Sequence, residues 1–341
     1  MYLILFNSFL LPQYTPFPKS WVRKYRIGID CGAIINHATR TRNLIFSLSF
    51  YKHDPNLIIS VLYHHIYTSL VVDKRTHPPE LFLQADNCWR ENKNRWVLAF
   101  CSWLIMTGIF VKITLSFLLQ GHTHEDIDQM FVPISAKYLR TVLWELKDLI
   151  NLVPIAYPSQ DTRLIPLILP FVHNWKAFFD PLLNPLQGHS GPHVFIFTRN
   201  GDGKVVMFHK DYHSSIDNLR GGDGEGGLSV LSSMPPGFPS LVQRSPLPDD
   251  CAKLPDLFSM PGFPESSKDQ WRQILNGEFP QVLVPEDYFN FDNLRYVGAQ
   301  CNYTVFLPPS RFEVTQDGGY QSESSTVCYL FVSSFFSNLN Y

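Results

Sequence analysis

Charge is scarce in this chain of 341 residues: Asp, Glu, Lys and Arg make up 17% of it, where globular domains usually carry about a quarter. The 28 Lys+Arg nearly balance the 30 Asp+Glu, and a formal charge of -2 excludes a protein that coats nucleic acid by bulk positive charge. Any basic surface has to be local. Cysteine is sparse too, six residues with no CxxC pair and no dense spacing. That excludes a zinc ribbon or a disulfide framework and fits a reducing compartment, nucleus or cytoplasm, rather than secretion. Residues 1–11 are apolar but lack a basic segment before them and a small-residue cleavage signature after them. They read as a buried or truncated leading strand, not a signal peptide. No internal repeat is present.

What the chain has is apolar mass, 45% hydrophobic and 14% aromatic residues, enough for roughly two domains with a sizeable core. The longest apolar run, residues 96–119, contains one charge, Lys112, and on hydropathy alone could cross a bilayer. Gly108 stands where a helix would end, and residues 111–117 turn to strand-forming types. The run therefore reads as a buried helix followed by a buried strand, with no membrane partner.

Residues 25–29 read as a short buried strand ending in Asp30, and 44–51 as a second strand. Asp54 and Pro55 supply an N-cap and a first-turn proline, after which Leu57, Ile58, Val61, Leu62, His65 and Ile66 share one helical face. Residues 80–85 form a strand whose end carries Asp86. The apolar helix spans 95–107, a strand covers 111–119, and a helix starts around Glu125. Strands alternating with helices predict an α/β fold, a mixed and largely parallel sheet with helices on both faces. Further along, residues 146–153 continue as helix, 171–183 are amphipathic, and 194–198 with 204–210 form a hairpin turning at 200–203. Residues 221–227 lack the strand, helix and Lys that flank a phosphate loop and read as a linker. Eight prolines between 235 and 264 predict an irregular, poorly ordered tail. The expected organisation is a truncated leader (1–20), a core (21–150), an extension (151–220), and a Gly/Pro-rich linker and tail (221–341).

In open α/β sheets ligands gather at the carboxyl ends of strands. Asp30 and Asp86 stand at two expected ends, and a third delivers Gly121-His122-Thr123-His124-Glu125-Asp126-Ile127-Asp128. Carboxylates converging there suit Mg²⁺ or Mn²⁺, and a pair of such ions holds the attacking and leaving oxygens of phosphoryl transfer. Asp30, Asp86 and Asp128 are the catalytic candidates. His122, His124 and Asp126 are further ligand candidates, and only one of Asp126 and Asp128 can face a common site, because on a helix they point about 200° apart. An acidic, dipole-stabilised helix start would use the same residues without a metal. The pattern His122-x-His124-x-Asp126 also resembles a zinc-hydrolase motif, although Ile127 stands where that motif has another His and no downstream His set completes it.

Between Asp86 and the apolar helix, Asn87, Arg90, Asn92, Lys93, Asn94 and Arg95 make a donor-rich segment suited to phosphate or base contacts. The same asparagines could simply cap the helix that follows. Cys88 reads as a small packing residue, since no His-Asp relay stands near it in the sequence.

Residues 83–88 (LQADNC), 91–95 (ENKNR), 117–131 (FLLQGHTHEDIDQMF) and 188–193 (GHSGPH) resemble the signatures of an uncharacterised eukaryotic domain family. That family occurs in proteins similar to mobile-element transposases, and the likeness runs from about residue 21 to 218. It implies an RNase H-like transposase core acting on DNA, with Asp86 and the histidine-acid cluster as site residues and no small-molecule cofactor. Two departures accompany it. No zinc finger or helix-turn-helix precedes the core, so the chain reads as a fragment or a degenerate copy. Asp30-Cys31-Gly32 stands where the family often has Glu-His-Gly.

Overall fold

The computed structural model describes residues 4–14, 26–48, 50–74, 77–85, 87–88, 92–118, 126–158, 163–212, 220–221, 226–246, 249–260, 262–276, 284–296 and 328–332. Nine strands are formed there: β1 (Ile4–Leu11), β2 (Ile27–Asn36), β3 (Thr41–Leu48), β4 (Glu80–Ala85), β5 (Lys112–Phe117), β6 (Arg163–Ile168), β7 (Val194–Arg199), β8 (Val205–Lys210) and β9 (Cys328–Val332). Seven α-helices accompany them: α1 (Pro55–Tyr67), α2 (Arg95–Met106), α3 (Asp126–Tyr138), α4 (Leu146–Ala156), α5 (Trp175–Phe179), α6 (Glu265–Leu275) and α7 (Phe291–Leu294).

Local chemistry explains where the two central helices start and stop. Asp54 accepts a hydrogen bond from the Asn56 N–H, and Pro55 fills the first turn of α1, where a missing N–H costs nothing. Asn94 does the same for α2, its side-chain oxygen accepting from Trp96 and Val97 N–H at 3.1 Å each. Just past the end of α2, Gly108 has φ +78, a left-handed conformation that a side chain would strain. The apolar run therefore breaks into helix and strand. No helix among the described residues is long and apolar enough to cross a membrane.

The strands form one mixed sheet in the order β6-β3-β2-β9-β4-β5-β7-β8, with β1 also paired to β2. β1 and β3 each run antiparallel to β2, whereas β4 runs parallel to β5 and β9. A single residue pair, Asn36 with Leu330, joins the two halves. Because side chains alternate along a strand, β2 divides its residues between two cores. Ile34 faces a layer built on α1, α2 and α5, while Ile27, Ile29, Cys31, Ala33 and Ile35 face α3, α4 and α6. The first core centres on Tyr63, fully buried, with Trp103, Trp175 and Tyr288 edge-on to it at 5.1 to 5.7 Å. Burying each such ring contributes about 2 kcal/mol or more.

The mixed sheet, the helices on both faces, the α1 cap and the 200–203 hairpin agree with the sequence pattern. The leading apolar residues form β1, the first of three antiparallel strands. Two expectations are overturned. The sheet is not largely parallel, since short turns at 37–40 and 200–204 fold β2–β3 and β7–β8 into antiparallel pairs, and antiparallel pairings outnumber parallel ones. Nor does Asp30 end a strand. It is the fourth residue of the ten in β2, which continues to Asn36. Asp disfavours strand interiors, so the sequence reads it as a terminator; tertiary hydrogen bonds override that preference.

The Pro-rich stretch is irregular over 226–246 and then folds back. A 3₁₀ segment (Asp249–Ser259) and α6 bring Leu254 and a fully buried Trp271 into the second core, with Trp271 Nε1 donating to the Trp144 carbonyl at 2.7 Å. Residues 284–296 close the first core through Tyr288 and Leu294. Both ends of the glycine-rich 221–227 segment are pinned. A β-carbon on Gly221 would lie 2.6 Å from Gly227 Cα, so neither backbone could approach so closely with a side chain at 221.

Candidate functional site

The carboxyl ends of β4 and β5 lie side by side. Ala85 is in register with Phe117, and the next residue, Leu118, donates its N–H to the Ala85 carbonyl at 2.9 Å. The two motif-bearing segments thus leave the sheet from adjacent positions, the location where open α/β sheets bind ligands. Asp86, Arg90, His122 and His124 lie outside the described residues. Asp126 and Asp128 are in the first turn of α3, whose backbone alone is described at those positions.

Asp30 is a buried carboxylate, 2% exposed. Its Oδ1 accepts from Ser8 Oγ at 3.1 Å, across the Ser8–Asp30 strand pair, and contacts His53 Nε2 at 2.8 Å. Its Oδ2 is buried without a hydrogen-bond partner among the described residues. Asp30 also helps burial to push the Cys31 thiol pKa up, with burial the larger cause. Register fixes its place relative to β4. Asn36 is level with Leu330, and Leu330 with Leu83. β4 ends two residues past Leu83, while Asp30 lies six residues from Asn36 in the same direction. Asp30 is therefore about 13 Å beyond the end of β4 and about 10 Å to its side. It is on the ligand-binding end of the sheet but at its rim.

For a metal ion, Asp30 Oδ2 fits as one hard-oxygen donor. Among the described residues no group of three His, Cys, Asp or Glu side chains converges to hold an ion.

The segment before α2 turns mostly inward. Asn92 and Lys93 donate their N–H groups to the Cys88 carbonyl at 2.8 and 3.0 Å, Asn94 caps α2, and all three side chains are buried. Only Asn87, half-buried, and Arg95, exposed, reach solvent among the described members of that set. Arg95 lies over the Trp96 ring, with Asp180 at 3.5 Å. Of the expected donor-rich set Asn87, Arg90, Asn92, Lys93, Asn94 and Arg95, Arg90 lies outside the described residues, Asn94 is spent on capping α2, and Asn92 and Lys93 turn their side chains inward, which leaves Asn87 and Arg95 at the surface. Burial lowers the pKa of Lys93.

Two groups were missed by sequence reasoning. His53, directly before the Asp54 cap, and Ser8, on β1, hold Asp30, and no spacing rule links residues so far apart. His193 sits opposite Phe117, its Nδ1 at 3.2 Å from the Phe117 carbonyl and its ring stacked on Tyr212. The 188–193 motif was visible in sequence, but its role was not.

The family model for a domain of unknown function, DUF7869, matches residues 23–215. The chain belongs to the DUF7869 family. The match spans β2 to β8 and contains Asp30, both motif segments and the 188–193 motif. No curated protein and no solved structure matches this DUF7869 chain.

Proposed function

We propose that this DUF7869 domain is a nucleic-acid-processing core of transposase ancestry and RNase H-like character, which cleaves or transfers DNA phosphodiester bonds with Mg²⁺ or Mn²⁺. The observation that supports it most is the Ala85–Leu118 hydrogen bond, from which the 86–95 and 119–128 segments depart together. In this reading Asp86 and the His122, His124, Asp126 and Asp128 turn hold the ion, which would neutralise phosphate charge and acidify a bound water. The chain's own residues position the strand: Asn87, Arg90 and Arg95 contact phosphates from the rim, and Asp30, held by Ser8 and His53, contributes negative potential on the same end of the sheet.

The test is thermal melting of the full chain in Mn²⁺, with wild type compared to Asp86→Ala. An ion at about a hundred times its dissociation constant stabilises by about 2.7 kcal/mol. An upward shift of several degrees in wild type, absent from Asp86→Ala, supports the proposal; equal shifts in the two proteins rule it out. A Zn²⁺ shift that survives Asp86→Ala and disappears in His122→Ala would favour the HxHxD hydrolase instead. A second reading, a domesticated or decaying copy that binds nucleic acid or protein without catalysis, is favoured by the commitment of Asp30 Oδ1 to Ser8 and His53. It predicts no divalent-ion shift in either protein.

A further inference from the structure

Phe117, the last residue of β5, has an unusual neighbour on its ring and another on its backbone. Lys93 Nζ lies 5.5 Å from the ring centroid. The lysine is 6% exposed, and its amine has no hydrogen-bond partner among the described residues. A dry, unpaired ammonium is costly unless an anion joins it. On the backbone side, β7 pairs antiparallel with β5, Ser116 opposite Val194, and the Phe117 N–H donates to the His193 carbonyl at 2.8 Å. Residues opposite each other on antiparallel strands share a face, so the His193 side chain emerges beside the Phe117 ring. The His193 N–H donates to the Asp211 carbonyl at 3.0 Å, and the next residue, Tyr212, stacks on His193 at 5.5 Å and 18°. Tyr212 is 49% exposed. A buried amine and, through His193, a half-exposed aromatic ring thus flank Phe117 at one strand end.

We propose that Lys93 and Tyr212 form a subsite for one nucleotide of a single-stranded polynucleotide, with Lys93 meeting a phosphate oxygen and the Tyr212 ring, backed by His193, stacking the base. This chemistry is that of sequence-tolerant single-strand binding, a cation for the backbone and an aromatic face for the base. A phosphate would also relieve the desolvation that depresses the Lys93 pKa. The class of partner rests on the nucleic-acid reading above; the subsite does not depend on its metal ion.

The experiment uses the full chain in EDTA and a fluorescein-labelled oligothymidylate of about a dozen residues, with anisotropy measured over a range of KCl. Tyr212→Ala should weaken binding about tenfold at every salt concentration while Tyr212→Phe binds like wild type. Lys93→Met should reduce the salt slope by about 0.7, the signature of one lost phosphate contact on a single strand. Its melting temperature should equal or exceed that of wild type, since a buried charge is removed. Unchanged affinity and slope in both Tyr212→Ala and Lys93→Met overturn the subsite, as does a wild type that fails to bind the oligonucleotide. Inorganic phosphate that raises the melting temperature of wild type but not of Lys93→Met, without oligonucleotide binding, would assign the amine to a free anion and overturn it too. A Mn²⁺ shift retained in these variants leaves the ion site standing whatever the oligonucleotide does, so the two proposals fail separately.

Discussion

The two faces of the sheet are built from different chemistry. Toward α3, α4 and α6 the core joins aliphatic residues such as Ile27, Ile29, Leu44, Leu149 and Leu254 to rings such as Phe46 and Trp271; Trp271 and Tyr138 each reach a backbone carbonyl with their polar atom. Toward α1, α2 and α5, His64, Lys93 and His173 lie against aromatic rings, and Asp30 and His65 are buried on polar partners. Several are satisfied by specific partners: Asn43 Nδ2 at 2.7 Å from His65 Nδ1, and Ser60 Oγ accepting from the His173 N–H and Trp175 Nε1. Buried polar groups need individual partners, so the second face is held together by geometry as well as by area.

The sharpest break of this contrast is Trp271→Ala. It empties a fully buried site on the face toward α3, α4 and α6 and should cost about 4 kcal/mol in denaturant unfolding, uniformly across pH. A loss under about 1 kcal/mol would mean that α6 is not part of that core. Next in size, Asp30→Ala strips Ser8 and His53 of their shared acceptor. Removing one partner of a buried, hydrogen-bonded charge costs about 3 kcal/mol, and Asp30→Asn should recover part of it because the amide oxygen still accepts. If the alanine variant is as stable as wild type, the carboxylate is not held as described.

The smallest effect at neutral pH belongs to His173→Phe, and its value lies in the pH profile. Burial lowers His173 and His64 from the usual imidazole value of 6.5 to about 4, so both are neutral in the fold and more easily protonated when unfolded. The stability they contribute is present above pH 6.5 and lost as pH falls through 6.5 towards 4. His173→Phe should change stability little at pH 7 and flatten that acid slope. An unaltered slope would place the acid sensitivity elsewhere.

Much of the fold was legible because its signals are local. Asp54-Pro55, Asn94 and Gly108 mark helix ends by capping chemistry, and 80–85 and 194–210 read correctly as strands. The candidate site was legible only in part. Asp86 and the 121–128 turn were expected to share one end of the sheet, and the neighbouring departure of their segments from Ala85 and Phe117 fits that. Asp30 was misread as a strand terminus, because its acceptance within β2 depends on Ser8 and His53. The inward turn of Lys93 was not legible either, since a KNR run reads as solvated whenever its neighbours in space are unknown.

By itself the sequence determined the alternation of strands and helices, the breaks in the apolar run and the membership of the motif segments in one family, since each follows from residues within a few positions of one another. Only the tertiary structure decided which face Asp30 takes, that Lys93 is buried beside Phe117, that Tyr212 backs onto His193, and that Trp271 and Tyr288 return from the tail to close the two cores. Those outcomes depend on strand register and on contacts between residues far apart in the chain, where a shift of one position would carry every side chain to the opposite face.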